Sequence, residues 1–259
     1  MHRWLTIALA LISALSVSLF LHTKRLPPLA SIEGGFVDHQ FHFTLLILGI
    51  LFIAAHLVLG LAIWLRRPNP KITYGSARSE TLFTIAILAI FAVLGITGSR
   101  VLAATRTTPD RAPIQLEVTG MQFQWYFRYP GTDGIFGSTK PELTDAYIGN
   151  PLGLDPADHS GDDDVVSALA TVPLGRTIEL TLHAQDVIHS FYVPAMRFKQ
   201  DAVPGMATHL RFTPDRLGTY DVVCAELCGL GHYRMNTQLR VVSESEYTRW
   251  LAAHTKATR

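Results

Sequence analysis

The sequence predicts a transmembrane helical hairpin, preceded by one more apolar helix and followed by an all-β domain outside the membrane. Two observations carry this prediction. Apolar residues are concentrated in stretches 4–21, 43–65 and 82–104, after which the composition turns polar with short alternating runs. Between Cys224 and Met235 the chain also gathers two thiols, an imidazole and a thioether in one irregular segment, Cys224-Ala-Glu226-Leu-Cys228-Gly-Leu-Gly-His232-Tyr-Arg-Met235.

The helices come first in chain order. Phe43–Leu65 has 23 residues with His56 as its only ionisable group; at about 1.5 Å per residue it spans the roughly 30 Å hydrocarbon core. Leu82–Ala104 carries a single charge, Arg100, near its far end. The first stretch follows Met1-His-Arg3 over residues 1–25 and reads either as a signal peptide or as an anchor helix. Its apolar core exceeds the roughly 7 to 15 residues of a signal sequence and no clear Ala-x-Ala site follows, which favours an uncleaved anchor. Arg66, Arg67, Lys71 and Arg78, with no acid before Glu80, mark the loop within the 40–105 hairpin as cytoplasmic and place the rest of the chain outside. His22, Lys24 and Arg25 fit that assignment poorly, which argues instead for removal of the first segment. The net charge of +1 says little, because local charges cancel, and nothing points to nucleic acid.

From Ile114 the apolar residues alternate in short runs: 114–118, 122–129, 165–172, 177–183, 208–213, 219–224 and 237–242. That many short strands between Gly and Pro turns predicts an antiparallel sandwich or barrel over 112–243. Glu244–His254 has helical spacing, so a helix and tail close the chain over 244–259.

Thiolate, thioether and imidazole together favour copper over hard cations, and favour electron transfer over hydrolysis. Cys224 and Cys228 could instead form a disulfide, but a disulfide needs neither His232 nor Met235. Structural zinc rarely takes Met. A further ligand is expected from a neighbouring loop, and His189, ending an apolar run before Pro194, is the best candidate; a lone His there is otherwise a core residue. His183, in mid-strand, reads as structural.

These residues resemble subunit II of the haem–copper cytochrome c oxidases from about Gln40 to the C-terminus, in a layout of helical hairpin plus external cupredoxin-like Greek-key barrel. The resemblance implies a centre of two copper ions bridged by Cys224 and Cys228. His189 and His232 would each bind one copper, with Met235 and the backbone carbonyl of Glu226 as weak axial ligands. The Glu226 carboxylate would also reach a magnesium ion shared with the catalytic subunit. Phe191, Tyr192, Val193 and Leu230 are expected to form a dry shell around the site. Within Gly120–Pro130, Trp125 matches the residue that takes the electron from cytochrome c, while Phe127 stands where the family has a second Trp; without the resemblance these aromatics read as core.

A basic cytochrome c would dock on acids. The run 131–164 holds eight, Asp133, Glu142, Asp145, Asp155, Asp158, Asp162, Asp163 and Asp164, against Lys140, although such a run is ordinarily a solvated loop. Asp186 resembles a docking acid more specifically. Ser79-Glu80-Thr-Leu-Phe-Thr84 resembles the segment whose Glu sits at the mouth of a proton channel in the catalytic subunit, and it also reads as a helix start capped by Ser79. His56 lies at a depth where ionisable groups face protein.

The resemblance thus implies a multi-pass subunit of a bacterial-type inner membrane with a periplasmic C-terminal domain. It would pass single electrons from cytochrome c to the haems of subunit I, among other oxidase subunits, where oxygen is reduced and protons are pumped. A quinol-fed subunit II is the nearest rival, but it lacks copper ligands. A Cu(I) chaperone would show α/β alternation and one anchor, and the copper domain of nitrous oxide reductase would need a propeller too large for this chain. No Cys-x-x-Cys-His is present, so no c-type haem is fused to it.

Overall fold

The computed structural model describes residues 2–23, 26–65, 75–105 and 111–257. The basic residues behind the sidedness argument, Lys24, Arg25, Arg66, Arg67 and Lys71, lie outside these residues; Arg78 is within them. The chain divides into two compact units, one of residues 1–26 and 37–103 and one of 27–36 and 104–259.

Three helices, α1 (His2–His22), α2 (Ile32–Trp64, in the first unit from Val37 on) and α3 (Ala77–Ala104), are each long and apolar enough to cross a membrane. α3 opens on Ser76 rather than Ser79: the Ser79 amide donates to the Ser76 hydroxyl at 3.2 Å, and the Glu80 amide to the Ser76 carbonyl at 3.1 Å. Ser79 falls inside the first turn, and the exposed Glu80 keeps its favourable place near the positive helix end. His56 donates or accepts through Nδ1 at the Phe52 carbonyl, 2.8 Å away, and lines a cleft of about 770 Å³ between α1 and α2.

The second unit is built on ten strands. Its strands are β1 (Ile114–Met121), β2 (Gln124–Tyr129), β3 (Val165–Ser167), β4 (Ala170–Pro173), β5 (Ile178–Ala184), β6 (His189–Val193), β7 (Phe198–Ala202), β8 (Thr208–Phe212), β9 (Gly218–Cys224) and β10 (Asn236–Val242). They form two five-stranded sheets, ordered β3-β2-β1-β5-β8 and β4-β10-β9-β6-β7. This is the cupredoxin-like architecture the resemblance implies, and it departs from the antiparallel arrangement that the alternation predicts. β1 runs parallel to β5, and β4 parallel to β10, so the sheets are mixed rather than wholly antiparallel. Hydrophobic alternation states which face a strand buries, not which neighbour it takes or in what direction.

Leu116, Val118, Trp125, Phe127, Ile178, Leu180 and Leu182 of one sheet and Phe191, Val193, Val222, Leu239 and Val241 of the other fill the core. Tyr129 ties the sheets together: its hydroxyl donates to the Thr171 carbonyl and accepts from the Thr171 amide, while its ring meets Trp250 edge-on at 4.9 Å. Burial pushes the Tyr129 phenol above its ordinary value. Trp250 belongs to α4 (Glu244–Ala257), which begins at Ser243, whose hydroxyl accepts from the Glu246 amide.

Residues 27–36 belong to the β unit. Ala30 and Ser31 are fully buried, with Ala30 N–H on the Ala195 carbonyl and the Ser31 hydroxyl on the Met196 carbonyl. The same Ser31 oxygen caps α2 by accepting from the Gly34 amide. Glu33 then receives both the amide and the hydroxyl of Thr213, at 2.7 and 2.9 Å.

The lobe between β2 and β3 holds the acidic run, and most of these acids are occupied in folding it. Asp164 accepts from the Gly137 amide and pairs with the buried Arg128, which also meets Glu117 at 3.1 Å. Asp163 takes the Thr132 amide and hydroxyl, Asp158 the amides of Ser138 and Ser160, and Asp155 the Lys140 ammonium. Asp133 and Asp145 close Asx turns on the amides of Ile135 and Tyr147. The run is therefore chiefly a set of turn-forming and bridging carboxylates.

Candidate metal centre

Strand parity and register bring the predicted ligands together. On β6, His189 shares the inward face with Phe191 and Val193; on β9, Cys224 continues the inward parity of Val222. The strands are antiparallel neighbours with Phe191 opposite Cys224, so the start of one meets the end of the other. The chain after Cys224 then loops and returns as β10, with the Cys224 amide donating to the Met235 carbonyl at 3.0 Å. A close approach at Gly120 completes the pocket: a Cβ there would stand 2.9 Å from His189 Cδ2, so only glycine admits the imidazole.

Both cysteines are free thiols, with their sulfurs 3.9 Å apart against about 2.05 Å for an S–S bond. His189 Nδ1 lies 4.0 Å from Cys224 Sγ, and His232 Nδ1 lies 3.6 Å from Cys228 Sγ. Met235 Sδ is 3.7 Å from Cys228 Sγ, and the Glu226 carbonyl oxygen 3.2 Å from Cys224 Sγ. The ligand atoms of His189, Cys224 and Cys228 lie within 4.8 Å of one another. All three residues and Met235 are buried. Soft sulfur, imidazole nitrogen and one carbonyl converge here without a carboxylate oxygen, the donor chemistry that fits copper.

The electrostatics prepare one thiolate. Burial alone would raise the Cys224 thiol, but hydrogen bonds from His189, the local backbone and His232 outweigh it and bring the group down to about 6. Burial and the neighbouring Cys224 charge push Cys228 up to about 11. Asp186 supports His189 from behind. Its Oδ1 meets His189 Nε2 at 2.8 Å and also takes the Val187 amide, while its Oδ2 takes the Gln122 amide at 2.7 Å. With a carboxylate as its partner Nε2 carries a proton, and Nδ1 is the nitrogen turned toward the sulfurs. Burial would raise the Asp186 carboxyl, yet these hydrogen bonds hold it below its usual value. Burial would lower His189, but the Cys224 thiol and the Asp186 carboxylate together lift it above its ordinary value.

This geometry bears on three expectations, and the Leu230 one changes. Asp186, a docking acid by resemblance, has its carboxylate engaged in orienting His189. Leu230 is 98 % exposed and takes no part in a dry shell, whereas Phe191 and Val193 are buried as expected. Trp125 is 0 % exposed: its ring sits edge-on to His189 at 5.8 Å and to Phe191 at 5.2 Å, behind the site.

Phe123, in the turn between β1 and β2 and against the ligand loop, is 37 % exposed. The sequence reading gives Phe123 no role beyond the aromatic run that contains Trp125. Its position outside the strand, two residues before the inward-facing Trp125, was the available signal. Among the remaining residues singled out, Glu226 has an exposed side chain, and His183 lies 4.0 Å from Glu117 on the outer sheet face, away from the cluster. Glu80 lies in the other unit, in the first turn of α3.

Comparison with known proteins identifies the family. Residues 115–242 match the family model for cytochrome c oxidase subunit II, periplasmic domain. The alternative cytochrome c oxidase subunit 2 of Bradyrhizobium diazoefficiens is 34% identical over 231 residues, covering 86% of this chain and 82% of the relative. Cytochrome c oxidase subunit 2 of Cereibacter sphaeroides is 30% identical over 228 residues, covering 81% and 73%. Among solved structures, the periplasmic domain of subunit II (CoxB) of Bradyrhizobium japonicum is 27% identical, with a TM-score of 0.44, covering 59% of this chain and 100% of that one. The chain belongs to the cytochrome c oxidase subunit II family.

Proposed function

We propose that this subunit holds two copper ions between Cys224, Cys228, His189, His232, Met235 and the Glu226 carbonyl, and that it relays single electrons from a periplasmic cytochrome c to the haem-bearing catalytic subunit. The observation that carries this reading is the convergence of two thiols, two imidazole Nδ1 atoms, a thioether and a carbonyl, with neighbouring ligand atoms 3.2 to 4.0 Å apart. Copper held by these ligands would supply one-electron exchange. The chain's own contribution is to keep the ligands in place. Asp186 fixes the His189 tautomer, Gly120 lets the imidazole approach β1, and Trp125, Phe191 and Val193 keep water from behind the site.

Electrons are taken up over the face carrying Phe123, Leu227, Leu230 and Tyr233, whose exposed apolar groups surround the ligand loop. An exposed apolar patch of this kind suits a transient protein partner. The outward carboxylate of Glu226 is offered to a magnesium ion at the catalytic subunit, and Glu80 to a proton channel of that subunit on the cytoplasmic side. The retained ligand set favours this reading over a quinol-fed subunit.

The test is metal analysis and electron paramagnetic resonance on the full chain in detergent. Two coppers per chain, with hyperfine coupling shared equally between both nuclei, is the expected result. One copper with four-line coupling, or zinc at one per chain, would overturn the reading.

A further inference from the structure

The turn between β1 and β2 touches both ligand-bearing segments through a single residue. The Gln122 backbone amide donates to Asp186 Oδ2 at 2.7 Å, and Asp186 in turn holds His189 Nε2. The Gln122 side-chain amide donates to the Cys228 carbonyl at 2.5 Å. His189 and Cys228 stand on different strands or loops, 39 positions apart in the sequence, and each is held to the same residue. Next to it, the Phe123 ring lies so close over Gly231 that a Cβ at that position would overlap it. Phe123 thereby covers the loop between Cys228 and His232.

We infer that Gln122 is a positioning residue for the copper ligands: its backbone arm and its side-chain arm fix the separation of the His189 segment and the Cys224–Met235 loop before metal arrives. The inference rests on the copper reading above. The physical reason is rigidity. The loop after Cys228 has its own backbone bonds, from His232 to Gly229 and from Arg234 to Gly231, but the Cys228 carbonyl itself is held by the Gln122 side chain, which fixes where that ligand stands. A carbonyl bound to a neutral amide donor is held in direction as well as distance. Ligand loops held in this way need little rearrangement on metal uptake, and they resist opening when metal would leave.

The experiment compares the full chain with Gln122→Glu and Gln122→Met. Glutamate keeps the shape of glutamine but offers no donor, and methionine keeps the length without polarity. Backbone donation to Asp186 remains in both. Copper release to excess Cu(I) chelator under reductant is followed together with the resonance spectrum of the oxidised form and the melting of the metal-free chain. We expect release to quicken by about 10- to 100-fold in both variants, the range seen when a group supporting a metal ligand is lost. Glutamate should be the faster of the two, because its carboxylate repels the Cys228 carbonyl. The hyperfine pattern should broaden while the metal-free melting point stays at the wild-type value. Wild-type release rates and spectra in both variants would overturn the inference. So would faster release accompanied by a lowered metal-free melting point, which would assign Gln122 to the fold. If the unsubstituted chain binds no copper pair, the failure belongs to the copper reading instead.

Discussion

The carboxylate of Asp186 meets Nε2 of His189 at 2.8 Å, three residues along the chain, and so decides which imidazole nitrogen faces the sulfurs. A negative charge on that side makes the ring a stronger donor and favours the oxidised metal. Asp186→Ala should raise the reduction potential of the centre and weaken copper binding by about 10- to 100-fold. Voltammetry and chelator competition check both; an unchanged potential would return Asp186 to a surface role.

Phe123 and Trp125 have separable roles. Phe123→Ala should slow reduction by cytochrome c in rapid mixing and leave the copper spectrum as it is. Trp125→Ala should alter the spectrum, because the indole packs on His189 and Phe191, and should lower stability by about 3 to 5 kcal/mol through the cavity it leaves. The reverse pattern would make Trp125 the residue that takes the electron.

Gly231 and Phe123 form a testable pair. Gly231→Ala drives a methyl group into the ring, and overpacking of this kind costs about 1 to 3 kcal/mol. Combining it with Phe123→Ala should remove most of that penalty in thermal unfolding of the metal-free chain, since the two residues share one contact. Additive losses would show that the ring is not what the methyl group meets.

Arg128 holds the acidic lobe to the sheet. Arg128→Met strips a buried guanidinium from Asp164, whose side chain is fully buried, and loss of one partner of a buried pair costs about 3 to 5 kcal/mol. Arg128→Met with Asp164→Leu should recover much of this. Denaturant unfolding measures both, and limited proteolysis should cut first within 131–164 in the single variant.

The metal-free thiols should ionise in two steps. Absorbance of the thiolate near 240 nm should rise first with a midpoint near 6, from Cys224, and again only near 11, from Cys228. Because the folded value for Cys224 lies below its ordinary value, thiolate formation adds stability as pH rises through 6 to 9 and withdraws it as pH falls through 6. Cys228 acts oppositely, removing stability as pH rises above 9. Replacing Cys224 by Ser should abolish the lower step.

What sequence carried and what it did not follow from the range of each interaction. The apolar stretches that became α1, α2 and α3 are local in the chain, as is the segment from Cys224 to Met235, and their spacing stated both membrane helix and soft-metal loop. α4 was readable from its spacing, although it runs on to Ala257. β6 and β7 were not read as strands, because His189–Val193 and Phe198–Ala202 are short and their pairing is with each other and with β9.

By itself, then, the sequence determined the helix and strand periods, the ligand types and the family resemblance, since those reside in neighbouring residues. Only the tertiary structure decided that Asp186 turns to His189, that six of the eight acids fold their own lobe, that Trp125 is buried while Phe123 reaches solvent, and that Gln122 joins two ligand segments. Each of these depends on strand register and on the inward or outward parity of a residue after a turn, and a shift of one position reverses the face it occupies.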